Sequence, residues 1–531
     1  MGRRESGAGY WQAAPQPRQQ LVLIPQSLES LIPPDHPVRL VDEILDQLDW
    51  TQYEAAYHGR RGQPPIHPSV LAKVMLFAML RRVRSSRQIE YELKHSIDFM
   101  WLASGRHLDH TTLSEFRRRH ANALREIFRQ MIKLAIDLGI ARLGELCIDG
   151  TRVLADANRY KTWTAERLDR ALAELDRQLA EALAGLEQAD AVEQDLFGDE
   201  HAADRLPKSV ADLRQRREQL AALREQAGQM DKVRRANGSK GPAQLPKADP
   251  DARILPNKEG GYAPNYTPMA TVETGAGLIV HADVVIGNVE HDQLPAIVDA
   301  VKENFAVDVA RVLVDKAYTT GENLTAAQSR DIIVIGALAE PQVENNPALR
   351  DDLTQPVADK DLDRLPVNPQ TKRFDKSAFV YDAASDQYFC PAGKPLPHRT
   401  TEHTTHGDGK PVVRSVYTCR GCAGCPLAAR CRRNPHSPRG REIMHDEHED
   451  GRRRLRQRMS TPEAQAARFR RQHFGELPFA VIKVGFALRR FLLRGIEGVR
   501  QEWCWAATAF NLKKLMTYMS ARRPDLTAMA E

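Results

Sequence analysis

From Leu168 to Leu186 the leucines step by four, three, four, four and three, and the stripe resumes at Leu213, Leu220 and Leu223 after a break rich in Gly, Asp and Pro. Such spacing places the leucines on one helix face, so two stripes across a break specify a helical hairpin or coiled-coil arm of about seventy residues. Its setting makes it restrictive. Before it, Leu146-Cys147-Ile148 runs as a strand into Asp149-Gly150-Thr151, with Val153-Leu154 beyond. After it, residues 229–262 read as a Lys-, Pro- and Gly-rich loop, and strand signals return at Met269–Val272, Leu278–Val280 and Val284–Ile286. A helix over 293–305 then leads to apolar runs at Val309–Val314 and Ile332–Ile335. Strands in meander spacing, followed by strands alternating with helices, predict a mixed α/β sheet into which the arm is inserted.

At 531 residues the chain has room for about three domains. Residues 1–20 are rich in Gly, Gln and Pro and read as a mobile N-terminus. From 21 to 140 the text is helical: Val70, Leu71, Val74, Met75, Ala78 and Met79 form one buried face. Shorter amphipathic segments follow through Ile89 and Leu93 and near Phe99 to Leu102. Asp109 offers a cap before Leu113, Phe116 and the basic Arg117-Arg118-Arg119. Short helices ending in a basic one suit a helix-turn-helix-like DNA-binding region, and equally a small helical bundle. Residues 460–520 read as helices rich in Phe, Leu and Arg.

The net charge of +6 is mild, but residues 451–500 carry thirteen Lys/Arg against three carboxylates. Basic runs interleaved with apolar segments point to a polyanion, and a solvated helix surface is the blander account. The apolar stretch from Leu71 to Leu80 is interrupted by Lys73, so no membrane span is expected. The N-terminus lacks the apolar core of a secretory signal, and seven Cys in a chain this long do not make a disulfide framework. A soluble, cytosolic protein with no membrane partner is expected.

Two aspartates stand where an apolar strand ends: Asp149 before a Gly, and Asp315 after Val312-Leu313-Val314. Singly, each is also an ordinary turn former. With a third carboxylate, two such strand-end Asp can hold two Mg²⁺ ions that activate water and stabilise a leaving oxygen at phosphorus. Glu476 is the third candidate, with Lys483 seven residues on; a helix starting near Glu476, with Pro478 in its first turn, would project both to one side.

Together, IDGTRVLADANRYKT (148–162), VDKAYTTGENL (314–324) and the Glu-x6-Lys pattern of 476–483 resemble the three catalytic segments of bacterial insertion-sequence DDE transposases. LRRVRSSRQIEYEL (80–93), DHTTLSEFRRRH (109–120), FALRRFLLRGIEGV (486–499) and AFNLKKL (509–515) are similar to the insertion-sequence eleven-eighty-two group. The resemblance spans roughly 21–520, interrupted by the arm. It implies a ribonuclease-H-like mixed-sheet catalytic domain built from 141–163 and 264–340. The remaining regions are a helical DNA-binding domain over 21–140, an arm and loop insertion over 164–263, a Cys-rich insertion over 341–450, C-terminal catalytic helices over 451–520, and a tail from 521. It implies Asp149, Asp315 and Glu476 as ligands of two Mg²⁺ (or Mn²⁺) ions, and metal-dependent cleavage and strand transfer of DNA.

Lys483, Arg489, Arg490, Arg494, Arg471, Arg87 and Arg117 are the expected DNA contacts. Double-stranded DNA, both element ends and target, is the expected partner of a homodimer or higher oligomer in a bacterial, nucleoid-associated setting. The chain departs from the family pattern at Phe469 and Gln472, where Tyr and Arg are usual, and at Ala317, where Gly is usual. A ribonuclease-H-like nuclease without strand transfer and a catalytically inactive DNA-binding repressor are the alternatives.

Cys422, Cys425 and Cys431, with Cys390 upstream, have spacing suited to tetrahedral structural Zn²⁺, unligated thiols being the alternative; Cys419 is a fifth thiol nearby. Cys147 and Cys504 lie in apolar text and read as core thiols.

Overall fold

The computed structural model describes residues 27–55, 65–197, 208–236, 238–257, 260–338, 346–405 and 411–528. The expected mobile N-terminus (1–20) and the side chain of Leu186 lie outside the described residues, as do the side chains of the tail beyond Ala521. Two compact units result: Met1–Ala123 with Met529–Glu531, and Leu124–Ala528. The first therefore closes earlier than the expected boundary at 140.

The first unit is helical: α1 (Pro37–Asp46), α2 (Thr51–Ala55), α3 (Pro68–Leu80), α4 (Ser86–His95), α5 (Ile97–Leu102) and α6 (His110–Arg118). α3 is buried on nearly every side, which explains its unbroken apolar text. Its one charge, Lys73, is 7% exposed and meets Asp42 of α1 at 2.6 Å and the Asp46 carboxylate beside it. A buried ammonium is tolerable only with such partners. Asp109 caps α6, accepting the Thr111 and Thr112 N–H groups. α4 packs against α5 and α6.

In the second unit, α7 (Ala121–Asp137, its first turn in the first unit) leads into β1 (Glu145–Gly150), β2 (Val153–Leu154) and β3 (Thr162–Trp163). The arm follows as α8 (Ala165–Phe197) and α9 (Lys208–Ala236). Leu168, Leu175 and Leu220 are buried between the two helices with Ala227, and Arg224 pairs with Asp169 across them at 2.6 Å. The segment expected as loop over 229–262 is only partly so. α9 runs on to Ala236, and β4 (Leu245–Pro246) and β5 (Arg253–Pro256) follow because their backbones find partners in β3 and β6 (Tyr262–Glu273). The expected strands at 278–280 and 284–286 merge into one, β7 (Ile279–Val285).

α10 (Leu294–Phe305), β8 (Arg311–Leu313), α11 (Gly321–Gln328) and β9 (Ile333–Ile335) complete a seven-stranded sheet. Its main path is β2-β6-β1-β8-β9, with β5 and β7 also on β6. β6 is antiparallel to both β1 and β7, whereas β1, β8 and β9 run parallel. Crossover helices between parallel strands are what that order demands.

Residues 346–448 form a separate antiparallel sheet that the sequence reading lacks: β10 (Val380–Asp382), β11 (Gln387–Phe389), β12 (Pro395–Thr405), β13 (Pro411–Thr418) and β14 (Glu442–Asp446), with α12 (Ala428–Cys431) between the last two. α13 (Glu449–Met459), α14 (Pro462–Ala480) and α15 (Ile496–Ala528) return the chain to the first sheet. α15 packs on β7; Trp503 Nε1 donates to Met269 O at 2.8 Å. Asn511 accepts from Ile279 N at 2.8 Å and donates to Ile279 O at 2.7 Å, opening β7 where its register with β6 shifts.

Two helix expectations need correction. The helix carrying Glu476 starts at Pro462, capped by Thr461, so Pro478 lies inside it rather than in its first turn. Lacking an N–H, Pro478 breaks the helical ladder, and Val481–Gly485 follows as a π-helical turn. Residues 486–495 are not helical. Ala487 and Gly495 take positive φ, and the Glu502 carboxylate accepts the Leu492 and Leu493 N–H groups. Phe491 N donates to Leu154 O, so this stretch runs extended beside β2.

Candidate active site

Cys147 of β1 faces Leu313 of the parallel β8. Asp149 and Asp315 each come two residues after that pair, so the carboxylates expected to act together emerge at the same end of neighbouring strands. Adjacent strands lie about 4.8 Å apart, which sets the spacing of the two backbones. Asp149 Oδ1 accepts its neighbour Gly150 N–H at 2.8 Å, and Oδ2 accepts Arg471 at 2.9 Å. Asp315 Oδ1 accepts the Ala317 N–H at 2.7 Å and caps the 3-10 turn Lys316–Tyr318. Ala317 sits in that turn without a positive φ, so it replaces the family's Gly without backbone strain.

α14 crosses the strand end at Gly475. A Cβ there would lie 2.8 Å from Asp149 Oδ2, so only Gly allows the helix this close. Arg470 and Arg471 pin the helix from the other side, meeting Glu145 at 3.0 Å and Asp149 at 2.9 Å. Glu476, the next residue after Gly475, is exposed on α14. Lys483 reaches back from the π-helical turn to donate to Thr151 Oγ1 at 2.6 Å, two residues past Asp149. The helix thus brings the Glu and the Lys of the third segment to the end of β1.

Among the described residues, no group of three or more His, Cys, Asp or Glu side chains is placed so as to hold a metal ion. Arg471 draws one Asp149 oxygen, the Asp315 carboxylate is turned back on its own loop, and Glu476 faces solvent. The donors are nonetheless the hard carboxylate oxygens that Mg²⁺ or Mn²⁺ takes. An orphaned one lies among them: Glu290 Oε2 is buried without a hydrogen-bond partner. Glu290 passes over Gly150, where an added Cβ would sit 3.7 Å from the Glu290 Cβ and Cγ.

Beside it, the Tyr318 hydroxyl is also buried and unpartnered. Burial raises that phenol above its ordinary range, and the charges of Asp149, Glu290 and Asp315 add to the effect. The sequence reading misses Glu290 and Tyr318 as site members. An acidic residue just past a strand, and the Tyr three after Asp315, were the available signals.

The expected DNA contacts divide by setting. Arg87 is exposed on α4, whereas Arg117 donates inward to Arg84 O at 3.0 Å. Arg489 and Arg490 point outward from the extended stretch, and Arg490 also touches Ala155 O. Arg494 pairs with Asp156 at 2.7 Å, and Arg471 is committed to Asp149.

The second sheet gathers the thiols. Cys390, Cys419, Cys422, Cys425 and Cys431 line one cavity of about 20 Å³ with Phe374 and Arg441. That is room for one water-sized occupant. Backbone N–H groups of Lys394 and Arg441 reach Cys390 Sγ and Cys422 Sγ, each at 3.4 Å. Cys419 and Cys422 hydrogen-bond through their thiols, and burial pushes Cys431 up to about 11 and Cys419 up to about 12. Cys147 and Cys504 are buried far from this cluster in sequence, and burial pushes both up to about 12, as core thiols require.

Two family models match the chain. One, a transposase DDE domain, matches residues 389–516, and a transposase domain (DUF772) matches residues 26–119. The first takes in Glu476 and the Cys cluster but leaves Asp149 and Asp315 outside; the second covers most of the helical unit. They support a DDE transposase of the insertion-sequence type, a family whose activity is DNA cleavage and strand transfer. No curated protein matches the chain. Among solved structures, the cryo-EM structure of a piggyBac transposase synaptic complex with hairpin DNA aligns over 92% of this chain and 75% of its own, at 10% identity and a TM-score of 0.30. No described helix is long and apolar enough to cross a membrane.

Proposed function

We propose that this chain binds the terminal inverted repeats of its own insertion sequence, as double-stranded DNA, and catalyses divalent-metal-dependent strand cleavage and strand transfer. The observation that carries the reading is the register of Asp149 and Asp315 at the ends of parallel strands, with α14 packed against Asp149 one residue before Glu476. The order β7-β6-β1-β8-β9, three antiparallel strands continued by two parallel ones, supports a ribonuclease-H-like catalytic core. The insertion-sequence eleven-eighty-two group remains the best description of the motifs.

Asp149, Asp315 and Glu476 would hold the two Mg²⁺ or Mn²⁺ ions. When bound, these supply a Lewis acid that stabilises charge on the attacking and leaving oxygens. The chain's own part is placement. Thr151 fixes the Lys483 ammonium beside the strand end, where it suits a phosphate oxygen. Arg489 and Arg490 offer the outward charge that phosphate contacts need, and Arg87 does so from the helical unit. Arg471, paired with Asp149, holds that carboxylate ionised and oriented. In the second sheet, Cys390, Cys422, Cys425 and Cys431 would hold a structural Zn²⁺ in the cavity they line. Assembly as a homodimer or larger oligomer on paired ends, in a nucleoid-associated setting, belongs to the same reading.

Asp149→Asn tests it. The substitution keeps the shape but removes a charge the divalent ion needs. On labelled element ends with Mg²⁺, it should abolish cleavage and leave gel retardation nearly intact. Equal cleavage by both proteins would remove Asp149 from the site. Cleavage without joining would favour the nuclease, and retardation without cleavage by wild type would favour the repressor.

A further inference from the structure

We propose that Glu290 is a further carboxylate of the cation-binding set formed by Asp149 and Asp315, and that the Tyr318 hydroxyl is the buried donor that positions it. The inference rests on the phosphoryl-transfer reading of that site and names a residue no motif assigns. Glu290 opens the 3-10 turn Glu290–Gln293, between β7 and α10. Tyr318 closes the turn after Asp315. One side chain ties these two turns together: Asn323, 4% exposed, donates to His291 O at 2.8 Å and to Tyr318 O at 2.9 Å. Glu290 and Tyr318 are therefore held in a fixed relation by the fold.

What is held there is incomplete. Glu290 Oε2 and Tyr318 Oη are both buried with no hydrogen-bond partner, and Tyr318 is only 1% exposed. Each such group forgoes the hydrogen bond it would make in water, an expense native interiors rarely accept. Asp149, Glu290 and Asp315 all lie near enough to Tyr318 to act on its hydroxyl electrostatically. Arg471 answers the charge of Asp149, and its hydrogen bond goes to that carboxylate. A hard divalent cation among oxygen donors completes such a set: it takes up the spare Glu290 oxygen and leaves a carboxylate to accept the Tyr318 proton. Were Glu290 only a packing residue, glutamine would serve as well, and the cation would not sense the exchange.

The test is Mn²⁺ binding by the full-length chain without DNA, followed by isothermal titration calorimetry and by the loss of the free-ion electron paramagnetic resonance signal. Glu290→Gln should weaken binding by about tenfold or more, the scale on which ligands and their supports act. Tyr318→Phe should weaken it by a smaller factor while leaving the melting temperature in EDTA unchanged or higher, since its hydroxyl makes no bond in the metal-free protein. The same melts show that both variants fold. Mn²⁺ affinity within twofold of wild type for Glu290→Gln, or no binding by wild type, overturns the proposal. The two readings fail separately. If Glu290→Gln loses Mn²⁺ while wild type neither cuts nor joins element ends, the cation site stands and the transposition reading falls. If wild type cleaves and Glu290→Gln binds Mn²⁺ normally, the reverse holds.

Discussion

Gly475 shows how little room the site leaves at single positions. A methyl group there would come within 2.8 Å of Asp149 Oδ2, so Gly475→Ala has to move that carboxylate or the helix. Folding should suffer little, because one flexible side chain can yield. Cleavage should fall by about tenfold to a hundredfold, since a shift of about 1 Å in a reacting geometry is enough for that. Comparing single-turnover cleavage with the melting temperature checks this, and unchanged cleavage would show that α14 does not sit over a working Asp149. Glu449 is a second position where one atom group decides much. Burial works to raise this carboxylate, but Lys376 and Arg456 outweigh it and hold it at about 2 against an ordinary 4.5. A carboxylate lowered on folding stabilises fully above its unfolded value, and the contribution is lost as pH falls from about 4.5 to about 2. The difference is worth about 3 kcal/mol. Glu449→Gln should thus be destabilised by that order at pH 6, with the gap to wild type narrowing below pH 4.5 in urea titrations. A gap that stays constant to pH 3 would show that the pairing of Glu449 is not what stabilises this junction.

At the scale of elements, the Cys-bearing sheet makes a prediction of its own. Its hydrophobic cluster includes Cys390 and Cys419 beside Phe374, Tyr388 and Leu396, so the thiols are part of its core. If Cys390, Cys422, Cys425 and Cys431 hold zinc, purified protein should contain about one equivalent, and chelation should lower stability without changing the divalent dependence of cleavage. Zinc-free protein with all four thiols alkylated under native conditions would leave them as plain core residues. This sheet was invisible in the sequence for a physical reason. β12 is exposed along most of its length, and its text, Pro395 to Thr405, is Thr and His without apolar alternation. Its strand state comes from backbone pairing with β11 and β13. The break after α14 was hidden similarly, because the Glu502 carboxylate that receives Leu492 and Leu493 lies further along the chain. Asp149 and Asp315 were legible because an apolar strand that stops at an Asp leaves a local signature. Glu290 and Tyr318 were not, since what marks them is an absent partner in three dimensions.

For the whole molecule, sequence order and spatial order part company at one place, and the arm is the cause. β1 and β6 are direct neighbours in the sheet, yet the whole of α8 and α9 intervenes between them in the chain. The leucine stripe made that insertion readable, because a helix pair with its own apolar seam need not borrow core from the sheet. The structure bears this out: Leu168, Leu175, Leu220, Ala227 and Leu245 form a cluster of their own, floored by Trp163. The β3–β4 pair, Thr162 to Pro246 and Trp163 to Leu245, closes the base of the arm. A shortened arm should therefore leave the sheet intact. Removing residues 173–222 and joining Leu172 to Leu223 through a Gly-Ser turn keeps the Trp163, Leu168 and Leu245 contacts at the base while discarding the distal seam. Such a chain should melt within about 5 °C of wild type, the range of a change worth about 1 kcal/mol or less. It should also nick isolated element ends at an undiminished rate, because Asp149, Asp315 and Glu476 all lie outside the deleted span. If the arm serves interaction or spacing, what it should lose is assembly of two ends into one complex. Sedimentation and joining assays on paired ends measure that directly. A shortened chain that pairs and joins ends as well as wild type would deny the arm that role, and one that no longer unfolds cooperatively would show that the seam supports the sheet after all.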